Sequence, residues 1–144
     1  MERLARELRG LLEPDLDQRR VQFAWRMEDP PALLRADPEL LRQILFNLLQ
    51  NAVAFSPEEG EVTLSARRAA GDGWRIDVAD SGPGVPQDRR ERLFAPYFTT
   101  RPEGTGLGLA TVKRLAEAQG WRIGFSARPQ GGACFSIEGV DEAG

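Results

Sequence analysis

Three short clusters carry the residue types that could do chemistry. Asn47 and Asn51 stand four positions apart, a spacing that stacks two side chains along one edge of a helix. Asparagine is unfavourable inside a helix because its amide competes for backbone hydrogen bonds, so two on one edge need a reason. Their neutral carbonyl oxygens suit a hard cation such as Mg²⁺, whose other ligands would be water and phosphate. A buried polar pair capping neighbouring loops is the plainer alternative. Asp80 ends an apolar stretch and leads into Ser81-Gly82-Pro83-Gly84. A carboxylate there accepts hydrogen bonds, and the glycines let backbone pass close to a flat ligand; the same pattern also occurs as a common turn. In the third cluster, Gly104-Thr105-Gly106-Leu107-Gly108-Leu109, glycines alternate ahead of a helix. Exposed N–H groups and the helix dipole favour phosphate oxygens at such a place. The spacing differs from the Gly-x-Gly-x-x-Gly of dinucleotide folds.

The elements that must position these clusters are legible from periodicity. Asp37 as N-cap, Pro38 at the first helical position and Glu39 near the positive dipole end open a helix running to about Phe55. Its apolar face comprises Leu41, Ile44, Leu45, Leu48, Leu49 and Ala52, and both asparagines flank that face. Alternation predicts strands over 21–27, 61–68, 74–80, 121–128 and 133–140, with Gly71-Asp72-Gly73 turning the second into the third. Leucines at helical spacing predict a helix over 2–12, ended by a turn at Pro14 and Asp15. A short helix is expected over 86–94, a loop over 95–105, and a helix from Gly106 to Gln119 ended by Gly120. Five strands and a few helices make an α/β (α+β) protein, a mixed two-layer sandwich.

With 144 residues, one domain can bury a sizeable core. No histidine is present, which excludes histidine-based acid–base catalysis and histidine-ligated metals from these residues. Cys134 is the single cysteine, so no intrachain disulfide or thiolate zinc cluster can form. The single lysine, Lys113, lacks a Walker-type setting. A net charge of −3 argues against nucleic acid as the main partner. No apolar run suits a membrane span and no signal peptide is recognisable, so cytoplasmic placement without membrane contact is the default.

In order and spacing, Asn47 to Ala52, Asp80 to Gly84, Phe94 to Thr100 and Gly104 to Leu109 resemble the N, G1, F and G2 boxes of sensor histidine kinases. The resemblance runs from the strand at Val21 to the strand at Phe135, and Tyr97 to Leu109 is most similar to kinases of the nitrogen-regulation type. It implies the Bergerat fold of the gyrase, Hsp90, MutL and histidine-kinase superfamily, a mostly antiparallel five-stranded sheet on about three helices. Residues 16–144 would be the ATP-binding catalytic domain, and 1–15 a linker or the end of a preceding dimerisation helix.

By the same resemblance Asp80 would bind the adenine amino group, with Gly82 and Gly84 shaping the base pocket and Phe55 beside the ring. Asn51 would be the principal Mg²⁺ ligand, with Asn47 beside it near metal and phosphates. Residues 94–105 would form a lid anchored by Phe94 and Phe98, with Thr100 and Thr105 close to the nucleotide. Arg101 would replace the usual lysine near the phosphates, sharing the catalytic role with Asn47. Gly104, Gly106 and Gly108 would hinge the lid, while Leu107 and Leu109 border the site mainly as packing residues. Ala54 departs from the basic residue many members carry, which removes one phosphate or lid contact. The implied reaction is phosphoryl transfer from MgATP to a histidine on a separate dimerisation domain, then relay to a response regulator receiver domain. The isolated catalytic half is expected to be monomeric and to label itself negligibly.

An anti-sigma-factor serine kinase and a gyrase- or MutL-type clamp ATPase share the fold. Both use a glutamate base where this sequence has Asn47, and an amide cannot accept a proton at neutral pH. A degenerate domain that binds nucleotide only as a signal is the third reading; the intact asparagines, Asp80 and glycines oppose it.

Overall fold

The computed structural model describes residues 2–27, 34–35, 37–68, 73–82, 108–128 and 132–142. The helix expected over 86–94 and the lid expected over 94–105 lie outside the described residues. In chain order the elements are α1 (Glu2–Arg19), β1 (Gln22–Met27), β2 (Leu34–Arg35), α2 (Pro38–Phe55), β3 (Glu61–Arg68), β4 (Trp74–Asp80), α3 (Gly108–Ala118), β5 (Arg122–Ala127) and β6 (Ala133–Glu142).

The strands form one mixed sheet in the order β1-β3-β4-β6, with both β5 and the two-residue β2 on the far side of β6. Among the described strands β1–β3 is the one parallel pair; β3–β4, β4–β6, β5–β6 and β2–β6 are antiparallel. Five substantial strands therefore match the expected count. The short β2 is an addition that long-range pairing with Asp141 and Glu142 creates; two residues carry no alternation to read.

One face of the sheet packs on the helices. Val62, Leu64 and Ala66 of β3, Trp74, Ile76 and Val78 of β4, and Phe135 and Ile137 of β6 are buried there. They share a core with Leu8, Leu12 and Leu16 of α1, Ile44, Leu45, Leu48 and Leu49 of α2, and Val112 and Ala116 of α3. The opposite face is polar, with Arg75 paired to Asp77 at 2.8 Å and to Glu138 at 3.0 Å.

α2 begins as its sequence dictates. The Asp37 carboxylate accepts from the N–H of Glu39 at 2.9 Å and of Leu40 at 3.4 Å, satisfying orphan donors of the first turn. α1 corrects the sequence reading: it does not stop at residue 12 but continues through Pro14 to Arg19. Proline removes the hydrogen bond to the carbonyl four residues back, here Gly10. Pro14 and Gly10 both lie on the exposed face of α1, so the missing bond falls on the solvent side while Leu12 and Leu16 stay in the core. α3 ends before Gly120, whose φ of +81° takes the left-handed conformation that closes a helix.

Candidate functional site

Chain direction brings Asn51, Asp80 and the first residue of α3 to one end of the sheet. β2 pairs with the last residues of β6, so α2 starts at that far end and runs back towards the other. There it passes through the turn at 57–60 into β3, where Val62 lies opposite Asp80. The contact is tight: a Cβ at Gly60 would sit 2.7 Å from Ser81 Oγ. That hydroxyl accepts the N–H of Glu61 at 2.9 Å. The C-terminal half of α2, carrying Asn51, and the end of β4, carrying Asp80, are therefore neighbours. α3 leads into β5 at the Arg122–Glu138 end and spans about 16 Å, comparable to β5 itself. Its first residue, Gly108, is thereby returned to the Asp80 end. α2 packs on both β4 and α3.

Asp80 owes its burial to strand parity. Trp74, Ile76 and Val78 point into the core, and the next inward position along β4 is Asp80, 2% exposed. Its Oδ1 accepts the N–H of Gly82 at 2.9 Å and the N–H of Ala133 at 3.3 Å. Among the described residues no donor reaches Oδ2. The main-chain carbonyl of Asp80 accepts from Arg128 Nη1 at 2.7 Å. Burial pushes the carboxyl above its usual value, opposed by the two N–H bonds and by the nearby Arg128 charge. Gly132 closes this corner with φ of +100°; a Cβ there would fall 2.0 Å from the Asp80 carbonyl oxygen. Only glycine fits.

Asn47 and Asn51 are half-buried at the edge of the α2 apolar face, as their spacing predicts. Among the described residues neither side-chain amide makes a hydrogen bond, so neither caps a described loop. Two neutral amide oxygens are a donor set suited to a hard cation that keeps water and phosphate as its other ligands. Leu109 packs half-buried against the core, in keeping with a packing role. Gly82 is buried beside Asp80. Gly84, Phe98, Thr100, Arg101, Gly104, Thr105, Gly106 and Leu107 lie outside the described residues, as do the side chains of Ala54 and Phe55. Arg128, Gly132 and Ala133 join the site without having been marked by the sequence. The available signal is the Arg-Pro-x-Gly-Gly sequence between β5 and β6, but nothing local says which strand end Arg128 and Gly132 meet.

A family model for histidine kinase-, DNA gyrase B- and HSP90-like ATPases matches residues 36–142, well over half of the chain. The chain belongs to this ATPase family. Sensor histidine kinase ZraS of Salmonella typhi is 37% identical over 128 residues, covering 89% of this chain and 28% of ZraS. Full-length ShkA, solved in complex with AMPPNP, superposes with a TM-score of 0.87 at 39% identity, over 99% of this chain and 30% of ShkA. The catalytic domain of histidine kinase ThkA superposes with a TM-score of 0.87 at 29% identity, over 99% of this chain and 93% of that domain. ThkA has also been solved in complex with the response regulator protein TrrA, where the TM-score is 0.82 at 27% identity, over 98% of this chain and 40% of that one. Within the family this is an ATP-binding catalytic domain of the histidine-kinase kind. The chain spans under a third of the length of the curated relatives it matches. No described helix is long and apolar enough to cross a membrane.

Proposed function

We propose that this domain binds ATP with Mg²⁺ and directs the γ-phosphoryl group to a histidine on a separate dimerisation domain, for relay to a response regulator. The observation that carries this reading is the buried Asp80, its Oδ1 engaged by two backbone N–H groups while no described donor reaches Oδ2. Oδ2 is thus an acceptor at the sheet end, suited to an exocyclic amino group such as that of adenine. Gly82 would leave room for the ring edge, and Phe55, one turn of α2 after Asn51, would supply an aromatic face beside it.

Asn51 would be the principal protein ligand of the cation, with Asn47 one turn earlier reaching metal-bound water or phosphate. The bound Mg²⁺ would neutralise phosphate charge as the phosphoryl group departs. Arg101 and the backbone N–H groups of Gly104, Gly106 and Gly108 would add positive potential around the phosphates, with Phe98, Thr100 and Thr105 ordering the segment that carries them. Catalysis on this account is positioning and charge neutralisation, which needs no protein base next to the phosphates. Asn47 supplies none, which disfavours water or serine hydroxyl as the activated acceptor. The acceptor must lie on another chain or domain, because these 144 residues contain no histidine. We assign α1 to the catalytic unit, since Ala5, Leu8, Leu12 and Leu16 complete its core.

The test mixes this chain with a separately expressed dimerisation domain and γ-labelled ATP. Acid-labile label on the partner's histidine, lost with Asn51→Asp or Asp80→Asn, is expected, with negligible label on this chain alone. Acid-stable label on a serine would favour the anti-sigma-type kinase instead.

A further inference from the structure

The end of β4 is held from behind by the hairpin that joins β5 to β6. Arg128 follows β5, its own N–H donates to the carbonyl of Gly132 at 3.1 Å, and its side chain turns back onto the Asp80 carbonyl at 2.7 Å. The Gly132 backbone lies so close that a Cβ there would fall 2.0 Å from that carbonyl oxygen. Ala133 N–H holds the carboxylate from the same side. Asp80 is thus fixed at its main-chain oxygen by a guanidinium and at Oδ1 by two amides.

The chemistry of purines makes such fixing consequential. A carboxylate can accept the exocyclic amino group of adenine, but it can equally accept the adjacent N1–H and amino group of guanine if it shifts by an atom or two. At the position of the adenine amino group guanine presents an oxygen, which repels a carboxylate that cannot move. Selectivity between the bases therefore depends on how rigidly the carboxylate is held, besides its identity.

We propose that Arg128 is a positioning residue for base selection, anchoring the Asp80 main chain so that its carboxylate accepts from adenine and rejects guanine. The proposal rests on the reading of the site as an ATP site. Arg128 touches no nucleotide in this account; it acts through Asp80. Its charge also draws the Asp80 carboxyl towards the ionised form that serves as acceptor.

The test is calorimetric titration of the whole chain with MgADP and MgGDP, for the wild type, Arg128→Ala and Arg128→Lys. The wild type is expected to prefer ADP. Arg128→Ala should weaken ADP binding by about tenfold and GDP binding less, so that the ratio of affinities falls at least fivefold (about 1 kcal/mol of discrimination). Arg128→Lys keeps a cationic donor for the carbonyl and should retain most of the preference. Equal weakening of both nucleotides by Arg128→Ala, or an unchanged ratio, would overturn the proposal while leaving the ATP site intact. Failure of the wild type to bind ADP would instead overturn the ATP reading, and this proposal with it.

Discussion

Arg19 Nε donates to the carbonyl of Val53 at 3.1 Å, tying the last turn of α1 to the last turn of α2. Its Nη2 donates to the Ser56 carbonyl, also at 3.1 Å. The last carbonyls of a helix are short of partners within it (Val53 O has the 3.3 Å bond from the Ser56 N–H), and a cation there offsets the dipole. α2 has no basic residue in its own last turn, so α1 supplies the charge. Arg19→Ala should lower stability by about 1–2 kcal/mol in urea denaturation, with Arg19→Lys recovering part of the loss. A variant with unchanged stability would show that the contact contributes nothing.

Asp80 should trade stability for binding. Burial raises its carboxyl pKa in the folded protein, so the folded state holds a proton more readily than the unfolded chain. Its contribution is therefore most favourable at acid pH and declines as pH rises through the raised value. A side-chain amide at this position would keep an oxygen for Gly82 and Ala133 without carrying a buried charge. Asp80→Asn should melt higher than wild type at pH 7, with the difference shrinking as pH falls towards about 4. A lower melting temperature at pH 7 would contradict the sign.

Two glycines separate steric need from mere presence. Gly132→Ala places Cβ against the Asp80 carbonyl and forces a residue with φ of +100°, so the backbone must move. A loss of more than about 2 kcal/mol is expected, together with weakened nucleotide binding. Gly124 of β5 meets nothing within 4 Å, and Gly124→Ala should change stability by less than about 1 kcal/mol. Comparable denaturation midpoints for the two variants would refute the close approach.

Gly10 sits exposed inside α1 with open space around its missing Cβ. Gly10→Ala should raise stability by about 0.5–1 kcal/mol through helix propensity alone. A helix that stopped at residue 12 would fray around this position and show little gain.

The parts of the fold legible in the sequence are those with a local physical signal. The Asp37–Pro38 start of α2 is written in capping chemistry, and the alternation in 61–68 and 74–80 marks both strands to the residue. The same alternation buries Asp80, since it occupies an inward position. The length of α1 is hidden because proline normally ends helices; the exposure of Gly10, which makes Pro14 tolerable, is a tertiary property. β2 exists only through its pairing with β6. Arg128, Gly132 and Ala133 reach Asp80 across roughly fifty residues of chain, and no spacing rule links them.

The central claim is that the amides of Asn47 and Asn51 and the carboxylate of Asp80 serve one nucleotide. Isothermal titration of the chain with a non-hydrolysable ATP analogue, with and without Mg²⁺, tests it most directly. One saturable site is predicted, weakened without Mg²⁺ or by Asn51→Ala, and abolished by Asp80→Asn in a protein that remains folded. No binding by the wild type, or binding that Asp80→Asn leaves unchanged, would contradict it.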